Sequence, residues 1–172
     1  MAAVCATSEE RLAITLHSIG DALLATDAEE RVTLMNPVAE MLTGWSQAEA
    51  LGRSVADVFV IENALTGAPA EIPVAQVIRE GRVVGLANHT ILRARDGARY
   101  HIADSAAPIR DAEGELHGVV LVFHDVSEEY QLRQDLANSE LHFRTLANSG
   151  QALVWTAGLD KGCDYFNEPW LR

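Results

Sequence analysis

Cysteine, positive charge and long apolar runs are all scarce in this chain, and each scarcity removes a class of function. The two cysteines, Cys5 and Cys163, lie near opposite ends, without Cys-x-x-Cys spacing and without a histidine at metal-site spacing. That counts against a disulfide, against a metal site and in favour of a reducing compartment. Thirteen basic residues face 25 acidic ones, for a formal charge of −12. A surface of that sign repels phosphate backbones and anionic headgroups, so neither nucleic acid nor direct membrane contact is expected. No apolar stretch reaches the ~18–20 residues needed to cross a bilayer, and the N-terminal "MAAVCATSEER" lacks the basic start and apolar core of a secretion signal. The segment therefore reads as cytoplasmic. Enzyme signatures are missing as well: there is no Gly-x-Ser-x-Gly, no phosphate-cradling glycine loop and no His-Glu-x-x-His. His142-Phe143-Arg144 departs from the pattern of a phosphoacceptor histidine, and His142 reads as part of a linker-helix face. No catalytic residue and no metal ligand is expected here, and any catalytic output domain would lie outside this segment.

What the sequence does have is a core. Hydrophobic residues make up 48% and charged residues 22% of the 172 positions, the composition of a globular domain with room for flanking elements. "TSEERLAITLHSI", Thr7–Ile19, carries a capping residue, acids in its first turn and a partly helical apolar rhythm, so a capped amphipathic helix is expected to end at Gly20. Two short apolar runs, Ala22–Thr26 and Val32–Asn36, flank an acidic loop that starts at Asp27 and predict a β-hairpin. The period then switches. Val38, Met41 and Leu42 recur at helical spacing behind Asn36, placed to cap, and Pro37, placed at the first helical position, with Gly44 as the stop.

"SQAEALGRSVADVF" predicts two single-turn helices with a serine at each start, "ENALTGAPAE" a polar loop, and "IPVAQVIREG" a short helix stopped by Gly81. From Val83 the period is two again. "VVGLANHTILRA", "RYHIADSAAPIR" and "HGVVLVFHDV" predict three consecutive antiparallel strands, joined by a tight Asp96-Gly97 turn and by the longer loop "DAEGE". Arg93 and Arg95 flank the first of these turns and read as exposed at a solvated tip.

"DVSEEYQLRQDLANSELHFRTLANSG" turns helical once more, with Asp125 or Ser127 to cap it and acids in its first turn. Leu132, Leu136, Ser139, Phe143 and Leu146 alternate by four and three, a heptad-like seam with one polar position. Such a seam suits a dimerising, signal-carrying helix and equally a helix packed on its own domain. The end of the chain also echoes its beginning. After "LHSIG" stands "DALLATDAEERVTLMNPVAEML", and after "LANSG" stands "QALVWTAGLDKGCDYFNEPWLR". Each runs from a glycine into a strand with an Ala-Leu start, a turn, a second strand, an asparagine (Asn36 or Asn167) and a new helix. Arg172 is then expected to lie early in a second copy. Two strands make a marginal unit, so Tyr165, Phe166 and Trp170 should find no burial within that copy.

In order and motif these elements resemble the PAS sensory domains. The resemblance covers about Leu16 to Val126 and rests on "NPVAEMLTGW", on "LGRSVADVF" and on "RARDGARYHIADSAAPIRDAEGELHGVVLVFHDVSEE". It implies an α+β PAS fold, a five-stranded antiparallel sheet in the order 2-1-5-4-3 with short helices on one face and flanking helices at both ends. The chain then divides into an N-terminal helix or linker (1–15), a PAS domain (16–126), an output helix (127–149) and the truncated start of a second PAS repeat (150–172). The resemblance further implies a signal-input and dimerisation module of a bacterial histidine kinase, cyclic-di-nucleotide enzyme or transcriptional regulator. Such a module is a homodimer through its flanking helices, with an effector domain in the same full-length chain. Asp125, Val126 and Ser127 are similar to the family's Asp-Ile/Val-Thr/Ser junction and are the expected signal-relay residues.

Photochemical members of the family place a reactive cysteine in an Asn-Cys-Arg-Phe-Leu run. The matching stretch here, "GRSVADVF", offers Ser54 and Val55, so no thiol is placed to attack a flavin ring. Haem requires an imidazole ligand, and "IPVAQVIREGRVV" has none, while His89 and His101 fall on predicted strands. Non-covalent flavin needs an apolar slot, an aromatic wall and a few donors, for which Trp45, Asn88, His89 and Ser105 are the candidates. Trp45 serves equally well as a packing residue that ends the first short helix. Three readings stand at this point: a relay module, a sensor binding flavin ahead of haem, and a ligand-free dimerisation domain filled by its own side chains.

Overall fold

The computed structural model describes residues 20–85, 90–149, 152–157 and 163–171, and the helix expected over Thr7–Ile19 lies outside them. The chain falls into two compact units that meet at Ser127 and Glu128. The first opens with the expected hairpin, β1 (Ala22–Asp27) and β2 (Val32–Met35), and continues through α1 (Pro37–Thr43), α2 (Gln47–Ala50), α3 (Val55–Val58), β3 (Val60–Asn63), α4 (Pro73–Glu80), β4 (Val84–Gly85), β5 (Thr90–Arg93), β6 (Arg99–Arg110) and β7 (Leu116–Asp125).

The short helices start where side chains satisfy their free N–H groups. Asn36 accepts from Ala39 N–H ahead of α1, with Pro37 in the first turn. Ser46 forms a reciprocal capping box with Glu49 at α2, and Ser54 accepts from Ala56 N–H at α3. Gly44 and Gly81 close α1 and α4 in the left-handed region, at φ 72° and 66°, which glycine enters without steric cost.

The strands form one antiparallel sheet in the order β2-β1-β7-β6-β5-β3, with β4 beside β6. Five of them, β2-β1-β7-β6-β5, stand in the expected 2-1-5-4-3 order, and β3 and β4 are additions. Residues 60–63 lie where a helix was expected to give way to a polar loop, yet they pair with β5 along its edge from Val60 to Asn63. The long strand expected from Val83 is seen as β4, which pairs with β6 through Val84 and Gly85, and as β5 from Thr90, with residues 86–89 outside the described residues. β7 runs close beside β1 because position 118 is glycine. A Cβ at that position would stand 1.8 Å from the Thr26 carbonyl oxygen.

The helices cover one face of the sheet. Ala22 and Leu24 of β1, Ile102 and Ala106 of β6, and Val119, Leu121 and Phe123 of β7 are buried there with Ala39, Leu42, Val55, Val58, Phe59, Val74 and Val77. Phe59 and Phe123 meet at 4.9 Å between ring centres, in a tilted arrangement that suits the aromatic quadrupole. Each such fully buried side chain contributes about 1.5–3 kcal/mol of transfer free energy.

The second unit holds most of α5 (Ser127–Ser149), the hairpin β8 (Trp155–Ala157) and β9 (Cys163–Phe166), and a 3-10 turn at Glu168–Leu171. Among the described residues no helix is long and apolar enough to cross a membrane.

Candidate functional site

The sheet's two faces have opposite character, and strand alternation assigns each residue to one of them. On β6, Ile102 and Ala106 are buried in the core, and Asp104 shares their parity and is half-buried. Ser105 has the other parity, pairs with Val122 and is exposed. It stands on the face away from the helices and does not line the interior. Asn88 and His89 lie outside the described residues. Among the described residues the interior is occupied by Phe59, Phe123, Leu24, Leu92 and Leu121, all fully buried.

Trp45 is partly buried against the core, just past Gly44. Its ring is flanked by two guanidinium groups, Arg95 at 4.3 Å and Arg53 at 5.0 Å from the ring centre, a cation–π arrangement. Arg95 also pairs with Glu49 at 2.9 Å. That pairing, together with hydrogen bonds from the Ser46 hydroxyl and N–H, holds the Glu49 carboxyl down from its ordinary 4.5 to about 2. Trp45, Asp57, Val60, Arg93, Ala94, Arg95 and Gly97 border an open groove of about 340 Å³ at this end of the sheet. Trp45 and Ser105, two of the pocket candidates, are thus not brought together: one belongs to this rim and the other to the opposite face.

Asp125, Val126 and Ser127 do converge. The β7 strand ends as Asp125 pairs with Ile102. Val126 N–H then donates to the His101 carbonyl at 2.7 Å, and His101 N–H donates to Ser127 Oγ at 2.9 Å. Asp125 Oδ1 in turn accepts from Ser127 N–H at 2.8 Å, which satisfies one of the free donors at the start of α5. The junction is therefore a clip: His101 of β6 holds Val126 through its carbonyl and Ser127, the first residue of the following helix, through its N–H. His101 was considered in the sequence only for its imidazole, and its main chain is what contributes here.

Beyond the clip, α5 runs for 23 residues. Leu132, Leu136, Phe143 and Leu146 of the heptad seam are all exposed large hydrophobics, as is Leu141 on another side of the helix. Intrahelical Arg133–Glu129 and Arg144–Glu140 pairs support it at four-residue spacing, each pair adding a few tenths of a kcal/mol.

An antiparallel sheet with short helices on one face, clipped to a long helix after its last strand, is the architecture of a sensory input domain. The chain belongs to the PAS family: the family model described as "PAS fold" matches residues 10–126. Similar curated proteins include a probable diguanylate cyclase, DgcE, of Escherichia coli K12, 36% identical over 78% of this chain and 12% of its own length. A cyclic di-GMP phosphodiesterase, PdeB, of Shewanella oneidensis is 32% identical over 74% of this chain and 14% of its own length. The sensor protein FixL of Bradyrhizobium diazoefficiens is 26% identical over 84% of this chain and 29% of its own length. The chain thus spans less than a third of each of these relatives. Among solved structures, a PAS domain from Colwellia psychrerythraea superposes with a TM-score of 0.54 at 17% identity, covering 70% of this chain and 98% of that one. An RNA-binding light-oxygen-voltage receptor gives 0.59 at 24% identity, covering 81% and 40%. These likenesses show the shared fold.

Proposed function

We propose that this chain is the signal-input and dimerisation part of a larger bacterial sensor whose output turns over a cyclic dinucleotide. The cyclic-dinucleotide output is supported by two relatives above 30% identity, which are named for making and for degrading such a molecule; a third above that level, NtrY of Azorhizobium caulinodans at 33%, is named a nitrogen regulation protein. In this reading the segment performs no catalysis of its own. A change in the packing or twist of the sheet moves β6 against β7. The clip at His101, Val126 and Ser127 passes that movement to the start of α5. Two α5 helices pair along Leu132, Leu136, Ser139, Phe143 and Leu146, and the shift changes their register or crossing, which biases the effector between two states.

The observation that carries this reading is the conjunction of the clip with the exposed leucines Leu132, Leu136 and Leu146 on the same helix, while Phe143 of the seam meets the Tyr165 ring at 5.6 Å. Ser139 at a seam position weakens the pairing, as a polar residue does in a coiled coil, and so leaves it free to shift. The reading is tested by sedimentation and output together. Leu136→Glu and Leu146→Glu should abolish dimerisation of the 172-residue chain, whereas Leu141→Glu, equally exposed but off the seam, should leave it unchanged. In the full-length protein, Asp125→Ala combined with Ser127→Ala should uncouple stimulus from output. Equal effects from all three leucine changes, or an unaltered output from the clip variant, would contradict it.

A further inference from the structure

The two hairpins of the chain share one hydrogen-bond lattice. In the first, Asn36 Oδ1 accepts from Leu23 N–H at 2.9 Å, Asn36 Nδ2 donates to the Asp21 carbonyl at 2.8 Å, and Asn36 N–H donates to the Leu23 carbonyl at 3.0 Å. In the second, Asn167 Oδ1 accepts from Val154 N–H at 2.9 Å, Asn167 Nδ2 donates to the Ala152 carbonyl at 2.8 Å, and Asn167 N–H donates to the Val154 carbonyl at 3.0 Å. These three partners are each displaced by the same 131 positions that separate Asn36 from Asn167, while the contacts outside the hairpins differ: Asn36 Oδ1 also accepts from Ala39 N–H, and Asn167 Nδ2 also donates to the Ala147 carbonyl. The strand registers follow. Leu24–Met35, Ala25–Leu34 and Thr26–Val32 correspond to Trp155–Phe166, Thr156–Tyr165 and Ala157–Cys163, and the bulge falls after the second pair in both. Both asparagines are buried. A bulge, a buried side-chain lock and a register that coincide at one offset are three separate constraints, and a generic two-stranded hairpin requires none of them.

What differs is coverage. Ala22, Leu24, Met35 and Ala39 of the first hairpin and the helix after it are at most 3% exposed, while the residues 131 positions on, Leu153, Trp155, Phe166 and Trp170, are 45–58% exposed. β1 is sandwiched between β2 and β7, whereas among the described residues β8 is paired only with β9. We infer that residues 150–171 open a second sensor domain, and that Leu153, Trp155, Phe166 and Trp170 form the inner face of its core. Its occupant is the remainder of that domain, carried by the same polypeptide: a strand antiparallel to β8, playing the part of β7, with alternate apolar side chains over Trp155. The register specifies the pairing. A residue that stands to Trp155 as Leu121 stands to Leu24 is apolar and faces inward.

Hydroxyl-radical footprinting, read residue by residue by mass spectrometry, tests this in the natural full-length protein and in the 172-residue chain. Phe59 and Phe123 serve as internal buried standards. Trp155 and Trp170 should oxidise readily in the 172-residue chain and should lose their labelling in the full-length protein, down to the level of the two phenylalanines. Persistence of the labelling in the full-length protein would overturn the inference. So would shielding in the 172-residue chain that disappears on dilution, since a second copy would then be the occupant. Repeating that dilution with Leu136→Glu separates a dimer through this face from one through α5, so failure of the second-domain inference and failure of the relay reading give different results.

Discussion

The β1–β2 and β8–β9 hairpins are locally the same object in two surroundings. Both are closed by a buried asparagine and carry one bulge at the same register position. In the first, β7 runs beside β1 and the helices seal the inner face. In the second, the corresponding residues face outward. Local hydrogen bonding sets the shape of such a unit, and burial sets its stability, because an isolated two-stranded hairpin is marginal in water. The chain contains its own control for separating the two contributions.

The largest effect should come from truncating equivalent side chains. Leu24→Ala removes a fully buried side chain and should cost about 2–5 kcal/mol. Trp155→Ala, at the equivalent position, removes a larger but exposed side chain and should cost less than about 1 kcal/mol in the 172-residue chain; urea denaturation compares them directly. Next come the asparagines. Asn36→Ala leaves the buried Leu23 N–H without its side-chain acceptor and the Asp21 carbonyl without its donor, and should lower global stability by about 2–3 kcal/mol. Asn167→Ala should leave the global transition in place and abolish only the amide protection of Val154. Gly118→Ala would push β7 away from β1, since the added Cβ meets the Thr26 carbonyl. It should cost about 1–3 kcal/mol as an overpacking change and bring the first hairpin closer to the exposed state of the second.

The smallest effect is electrostatic and confined to the first unit. Glu49 is held at about 2 by Arg95 and Ser46, below its ordinary 4.5. Its folded-state value is depressed, so its contribution is present above pH ~4.5 and fades as the pH falls towards 2. Glu49→Gln should flatten the pH dependence of the urea midpoint over that interval and lower the midpoint slightly near neutrality, where the contribution is fully present.

Much of this was legible in the sequence, where the signals are local. Asn36-Pro37, Ser46 and Ser54 mark helix starts because capping is a matter of neighbouring residues, and Asp96-Gly97 marks its turn for the same reason. β3 was not legible: "VIEN" is four residues long on a sheet edge, and only Ile61 of it is buried, too little for a period. Ser105 was drawn in by its hydroxyl, although its strand parity, opposite to Ile102 and Ala106, assigns it to the other face. The clamp on Trp45 by Arg53 and Arg95 depends on a hairpin folding back over the ring, which no local pattern announces. The likeness of the two hairpins was visible through their matching Ala-Leu pairs, Ala22-Leu23 and Ala152-Leu153, yet those are 130 positions apart and the hydrogen bonds run at 131. Aligning on identity alone would turn every side chain of β8 to the wrong face.

Native-state hydrogen exchange on the 172-residue chain tests most directly whether coverage, and not the shared lattice, separates the two hairpins. Amides of Ala22–Asp27 should exchange only through global unfolding, while those of Trp155–Ala157 should exchange through local opening and at least about a hundredfold faster. Equal protection of the two strands would contradict the claim.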